Sequence, residues 1–220
     1  CTCDQEEFKK LIEKQKACPC RSNSLKENLE RWEKMLSKDK KLQYKEGKAV
    51  IRFKSNLKDP NPAFRDFPLA RINETPHPRQ KKKYRVWPLM NLAVTADDIE
   101  LKVTHAIRAS DHRDNAGRQE LIFHVLKKIP PRSFFVGKYN FTDLILSSTE
   151  MRKDLEAGKY KSWSDPALPT IASLKKQGYK PIAFSAMSLR SGLNEANKTL
   201  TKKEYFELLD YFNKQKKLEL

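Results

Sequence analysis

Between Tyr84 and Asn115 the chain sets titratable side chains among short apolar runs: Asp97 and Asp98, then Thr104, His105, Arg108, Asp111 and His112. The runs are Leu92, Ala93 and Val94, and later Val103, Ala106 and Ile107, a length that suits strands covered on both faces. Charged groups at the ends of such strands mark the crevice where an open α/β sheet binds its ligand. Arg108 is the strongest candidate, because a cation fixed just past a buried strand needs an anion and a guanidinium matches a carboxylate with two parallel hydrogen bonds. A pair with Asp97, Asp98 or Asp111 would also satisfy it. His105 and His112 can flank a ligand or satisfy buried hydrogen bonds. Asp97 and Asp98 read as a turn joining two strands.

A second cluster opens the chain, where Cys1, Cys3, Cys18 and Cys20 form two close pairs. Four thiolates at about 2.3 Å suit one tetrahedral zinc ion with no open position, hence a structural one. Two disulfides are the alternative, against which a reducing compartment works. The third candidate is basic: Arg79, Lys81, Lys82 and Lys83, beside Tyr84 and Trp87. Cations next to aromatics can hold a phosphate backbone and stack a nucleotide, and a plain solvated loop has the same composition.

The whole composition leans the same way. Among 220 residues, 45 Lys and Arg stand against 28 Asp and Glu, a net charge of +17 that favours a polyanionic partner such as nucleic acid. A thermophile surface would explain many charges of both signs, but not that excess. With 38% hydrophobic residues the chain can bury a sizeable core as one large or two small domains. No apolar run approaches the roughly 18 residues of a membrane span and no secretory signal opens the chain, so a cytoplasmic protein is expected.

These clusters need elements to position them. Phe8, Leu11 and Ile12 predict a short helix between the cysteine pairs, and Leu25, Leu29, Trp32, Met35 and Leu36 another. Ala49 to Lys54 alternates apolar and basic residues as a strand with one wet face, followed by a breaking loop at Asp59-Pro60-Asn61-Pro62. Leu121, Ile122, Val125 and Leu126 predict a helix over residues 117–128, stopped by Pro130-Pro131. Phe134 to Val136 predict a buried strand, with Tyr139 to Leu146 continuing the sheet. Thr170 caps a helix to Gln177, and Thr201 with Glu204 forms a capping box in a tail read as helical from Pro181 to Leu220.

The central stretch resembles the second half of the nucleotide-binding fold of glutamyl-tRNA synthetases of the archaeal and eukaryotic type. The residues that carry the likeness are Trp87-Pro88, Asp97-Asp98 and the run Thr104-His105-Ala106-Ile107-Arg108-Ala109-Ser110-Asp111-His112. A second anchor is Gly158, Trp163, Asp165-Pro166 and Leu168-Pro169-Thr170. The resemblance implies an α/β fold: the second half of a class I synthetase Rossmann-like fold over residues 84–160, an inserted α+β acceptor-binding, zinc-containing region over 1–83, and a helical stem-contact segment over 161–220.

It also implies roles. Arg108 would hold the side-chain carboxylate of glutamate, with Met90 and Asn91 lining the amino-acid pocket. Met90 stands where the family generally has Tyr, Asn91 where many members have Asp, and Lys102 where a Gly is common. His112, Leu146 and Ser147 would meet the nucleotide, and Arg65, Arg79, Lys81, Lys82 and Lys83 the tRNA. Ile145 to Met151 occupies the place of a Lys-Met-Ser-Lys-Ser type loop, whose cations offset charge on the leaving pyrophosphate. Ser148 and Glu150 stand where relatives carry Lys, which leaves Ser147 with Arg152 and Lys153 as the catalytic candidates. ATP with Mg2+, glutamate and tRNA(Glu) are the implied partners of a monomer, and tRNA(Gln) stays open. The start on Cys1 and the lack of a His-Ile-Gly-His type motif suggest an internal fragment, inactive alone. A glutaminyl-tRNA synthetase fragment, against which Arg108 argues, and a non-enzymatic zinc-containing RNA-binding module are the other readings.

Overall fold

The computed structural model describes residues 1–144 and 146–215. The chain divides into two units, one formed by residues 1–106 and 111–133 and the other by 107–110 and 134–220, the division running through a pair of strands.

In the first unit, helix α1 (Gln5–Glu13) starts where the Asp4 carboxylate accepts the backbone N–H groups of Glu6 and Glu7. It buries Phe8 and Ile12 beside Cys18, with Leu57 packed against them. Helix α2 (Leu25–Leu36) begins in a capping box of Ser24 and Glu27 and buries Met35 against Ala49 and Ile72. Three antiparallel strands follow, β1 (Val50–Arg52), β2 (Pro68–Ile72) and β3 (Val86–Pro88), in that spatial order. Cys1 exchanges both backbone hydrogen bonds with Val50, which ties the cysteine segment to the outer strand.

Two consecutive residues fasten this unit. Arg65, 6% exposed, donates to the carbonyls of Ile12 at 3.0 Å, Asp59 at 2.7 Å and Pro60 at 3.1 Å, so its charge sits at the carbonyl end of α1. Asp66, 4% exposed and held at φ 41°, accepts from the Ser55 N–H and pairs with Arg21, just past Cys20. Arg85 repeats the first device at α2, donating to the carbonyls of Met35 at 3.0 Å, Ser37 at 2.7 Å and Tyr44 at 2.9 Å and pairing with Glu74.

The stretch read as a strand pair with an Asp-Asp turn differs in the structure. Leu92, Ala93 and Val94, together with Asp97 and Asp98, lie in helix α3 (Met90–Glu100), and only the second run reaches a strand, β4 (His105–Ala109). Thr95 is fully buried and Asn91 nearly so, and their four-residue spacing puts both on one helical face. That buried face is polar, so a count of apolar residues misses its period. Asn91 accepts from Gln119 at 3.3 Å across helix α4 (Arg113–Val125), and the Thr95 hydroxyl returns to the Asn91 carbonyl at 2.8 Å. Strand β5 (Arg132–Val136) follows α4 and neighbours β4 in a two-stranded sheet.

In the second unit, β6 (Tyr139–Phe141) and β7 (Lys198–Leu200) pair in parallel. Between them come helices α5 (Ser148–Glu156), α6 (Ile171–Lys176) and α7 (Pro181–Ser191), and α8 (Lys202–Asn213) follows β7. Helices α7 and α8 share a core of Ala183, Ala186, Met187, Leu209 and Phe212. The caps at Thr170 and Thr201 form as expected. The tail is not helical throughout, because β7 interrupts it, and residues 216–220 of that expectation, like Ile145, lie outside the described residues. The expected continuation of a sheet from Tyr139 stops at Phe141.

A side chain at Gly137 would have to share space with a backbone carbonyl: a Cβ there would lie 2.1 Å from the Ala196 oxygen. Gly137→Ala is expected to lower the stability of this unit by about 1–3 kcal/mol, the usual cost of forcing atoms into packed structure, read as an earlier urea midpoint.

Candidate functional site

The cysteines converge as the spacing implies. The Sγ atoms of Cys1 and Cys18 are 4.0 Å apart and those of Cys3 and Cys20 3.5 Å, and those of Cys1, Cys3 and Cys18 lie within 4.8 Å of one another. Sulfurs about 2.3 Å from a tetrahedral centre are separated by about 3.8 Å, so Cys1, Cys3 and Cys18 are close enough to share one ion, with Cys20 beside Cys3. All four are free thiols, with no disulfide among them. Burial pushes the Cys20 thiol up, but hydrogen bonds from the Thr2 N–H and hydroxyl, the Arg31 guanidinium and Cys3 outweigh it and hold it down to about 6. Arg31 approaches that sulfur at 3.1 Å. Burial, then the neighbouring Cys3, push Cys18 the other way.

The cluster has neighbours that periodicity did not single out. Arg31 leaves α2 toward Cys20, and Arg52, read as part of a wet strand face, lies 3.5 Å over the Phe8 ring. The alternation of Val50 to Lys54 gave the right strand, but a basic residue in such a pattern looks the same facing a thiolate cluster as facing water.

The basic loop is built rather than loose. His77 and Lys81 exchange backbone hydrogen bonds at 3.0 and 2.8 Å, and His77 Nδ1 accepts the N–H groups of Arg79 and Gln80. The His77 ring stacks on Trp87 at 4.8 Å, and Lys83 Nζ lies 5.2 Å from the Tyr84 ring centroid. This presents Arg79, Lys81, Lys82 and Lys83 exposed beside an aromatic platform. Arg65 does not join them. Its guanidinium is buried and spent on backbone carbonyls, so the expected phosphate contact gives way to a structural role.

In the second unit Arg108 is half-buried, the fourth of the five residues of β4. Ser147 caps α5, its hydroxyl accepting the Glu150 N–H at 3.3 Å, so the expected signature loop continues directly into a helix that carries exposed Arg152 and Lys153. Leu146 is exposed before it. Asp165 accepts the N–H groups of Lys161 and Ala167, which hold its carboxyl below the usual range, and the Thr170 hydroxyl donates to the Trp163 carbonyl. The second anchor motif is therefore a tight turn closed by its own polar side chains, with Leu168 buried beneath it. In the first unit, Met90 is exposed at the start of α3, Asn91 is buried against Gln119, and exposed His112 receives the Asn115 amide at 3.0 Å just before α4.

Residues 1–218 match the family profile described as tRNA synthetases class I (E and Q), catalytic domain. The chain belongs to this family. The class I synthetase catalytic domain accounts for its mixed α/β architecture. It is 42% identical over 202 residues to the glutamate–tRNA ligase of Thermococcus kodakarensis and 43% identical over 202 residues to that of Pyrococcus furiosus. In both cases the match covers 91% of this chain and 35% of the relative, so the chain spans about a third of the length of these curated relatives. A crystal structure of a glutamate tRNA ligase from Elizabethkingia meningosepticum in complex with its amino acid overlaps 94% of this chain and 40% of its own, at 16% identity and a TM-score of 0.42, too slight a likeness to support an argument. Among the described residues of this synthetase chain, no helix is long and apolar enough to cross a membrane.

In metal-free protein, Cys20 is expected to be the first cysteine alkylated by iodoacetamide. Its rate should rise to half of maximum near pH 6, and saturating Zn2+ should suppress it, because a ligated thiolate is a poor nucleophile. Mass spectrometry of the labelled peptides reads both effects.

Proposed function

We propose that this chain is part of a glutamate–tRNA ligase that activates glutamate with ATP and transfers it to tRNA(Glu) in the cytoplasm, acting as a monomer. The observation that carries the reading is the 42–43% identity to glutamate–tRNA ligases across 91% of the chain, which takes in both anchor motifs. Residues 1–83 supply the acceptor-binding insertion, 84–160 the second half of the catalytic fold and 161–220 the stem-contact segment.

Activation needs no base, because the glutamate α-carboxylate attacks the α-phosphate of ATP as an anion and pyrophosphate leaves. The chain's contribution is therefore orientation and charge. Arg108 receives the γ-carboxylate through two parallel hydrogen bonds; the resemblance also assigns Met90 to glutamate, whereas the Asn91 side chain is spent on Gln119. The resemblance assigns His112, Leu146 and Ser147 to the nucleotide. ATP arrives with Mg2+, and Arg152 and Lys153 offset the charge that builds on pyrophosphate, in place of the lysines relatives carry nearer Ser147. The exposed cations Arg79, Lys81, Lys82 and Lys83 hold the phosphates of the tRNA acceptor arm. A zinc ion on Cys1, Cys3, Cys18 and Cys20 would cross-link the insertion and leave the chemistry to other residues.

In a protein that joins this chain to the other half of the catalytic fold, Arg108→Gln should lower glutamate-dependent pyrophosphate exchange by about 30- to 1,000-fold, what losing one partner of a desolvated charge pair costs. Discrimination against glutamine should fall with it. Unchanged exchange would refute the role given to Arg108. Replacing Lys81, Lys82 and Lys83 together by Ala should weaken tRNA binding and reduce the slope of log K against log salt by about 3 × 0.7–0.9, the contribution of three phosphate contacts.

A further inference from the structure

Beside the cysteine cluster, between α2 and β1, lies a cavity of about 340 Å³. That is too large for a bound ion alone and sits at the lower end of the roughly 300–1,000 Å³ of small-molecule sites. Cys1, Cys18 and Cys20 of the cluster themselves line it. So do half-buried Trp32 and Phe53 and the cations Arg21, Arg31, Arg52 and Lys54, with Asp66 as the one carboxylate.

The guanidiniums are set in place by the protein. Arg31 is held by Cys20 Sγ at 3.1 Å and Thr2 Oγ1 at 3.3 Å, and Arg21 by Asp66 and the Ser55 carbonyl. Arg52 is clamped over Phe8 and reaches the Asp66 carbonyl at only 3.5 Å, while its buried Nε has no hydrogen-bond partner. That Nε is closed even to water, so what Arg52 offers the cavity it lines is its charge and not this donor. Were the four cysteines all thiolates around a divalent ion, that centre and Asp66 together would still leave the four cations in excess. Cations and aromatic rings lining one cavity suit a planar heterocycle that carries a phosphate.

We propose that this cavity is a nucleotide site, its phosphate received by Arg52 and Lys54 and its base lying against Trp32. The phosphate comes from a free mononucleotide or from a nucleotide of an RNA strand, which present the same groups. The site stands on the cavity alone, independent of the ligase reading and of Arg108.

Calorimetry on the 220-residue chain, saturated with Zn2+ and freed of excess, tests it with AMP, adenosine and a 5′-phosphorylated RNA trinucleotide. AMP should bind, and adenosine should bind at least about tenfold more weakly for want of the charge-assisted contacts. Lys54→Ala, a change at an exposed side chain, and Arg52→Gln should each weaken AMP by about 3- to 30-fold with zinc content unchanged. Competition by the trinucleotide assigns the phosphate to RNA, and AMP binding without competition assigns it to a free nucleotide. No binding of AMP or trinucleotide at about 5 mM, weaker than any specific small-molecule site requires, would overturn the proposal. AMP affinity equal in the parent, Lys54→Ala and Arg52→Gln proteins would do the same.

Discussion

The first unit depends on a pair of adjacent residues of opposite charge turned toward opposite tasks. Arg65 closes the carbonyl end of α1 and the loop at Asp59 and Pro60, and Asp66 draws in Arg21 and Ser55. One dipeptide thus joins the helix between the cysteine pairs, the segment after the second pair and the segment that follows β1. Asp66 takes a left-handed backbone conformation, φ 41°, to let the two side chains do so. Such a conformation costs of order 1 kcal/mol for a residue with a Cβ, and the buried hydrogen bonds it permits offset that cost. Removing either partner would leave a buried charge or helix carbonyls unanswered, which is dearer than the bonds themselves are worth.

The same device explains where the positive charge goes. An excess of +17 suggests a polyanion partner everywhere, yet Arg21, Arg65, Arg85 and Arg118 are occupied with carbonyls and carboxylates of their own chain. Arginine suits that work, since its planar fork can answer several carbonyls at once. Other cations stay exposed along the chain, among them Arg79, Lys81, Lys82 and Lys83 of the basic loop and Arg152 and Lys153 on α5. Charge counts find an interest in nucleic acid but cannot separate these classes, because a buried clamp and a phosphate contact use the same residue type.

Much of the rest was legible. The amphipathic periods of α1 and α2, the strand at Val50, the helix before Pro130, the caps at Thr170 and Thr201 and the convergence of four cysteines all follow from local chemistry, which the folded chain keeps. The failures share a cause. Helix α3 buries Asn91 and Thr95, so its inward stripe is polar and its apolar runs mimic strands. The resemblance gives Arg65 to the tRNA, and only burial distinguishes a clamp from a ligand contact. β7 is three residues between two helices, too short to outvote its flanks. Arg31 and Arg52 reach the cysteine cluster through tertiary contacts that no spacing encodes.

The claim that Arg65 and Asp66 seat the cysteine segment on its sheet is tested most directly by hydrogen exchange on Arg65→Met. Loss of the clamp should speed exchange of amides over residues 5–13 and 18–22 by at least about tenfold, equivalent to about 1.4 kcal/mol of local stability, while amides in α7 and α8 keep their parent rates. Parent-like protection across the cysteine segment in that variant would contradict the account and leave the packing of Phe8, Ile12 and Cys18 as the stronger fastening.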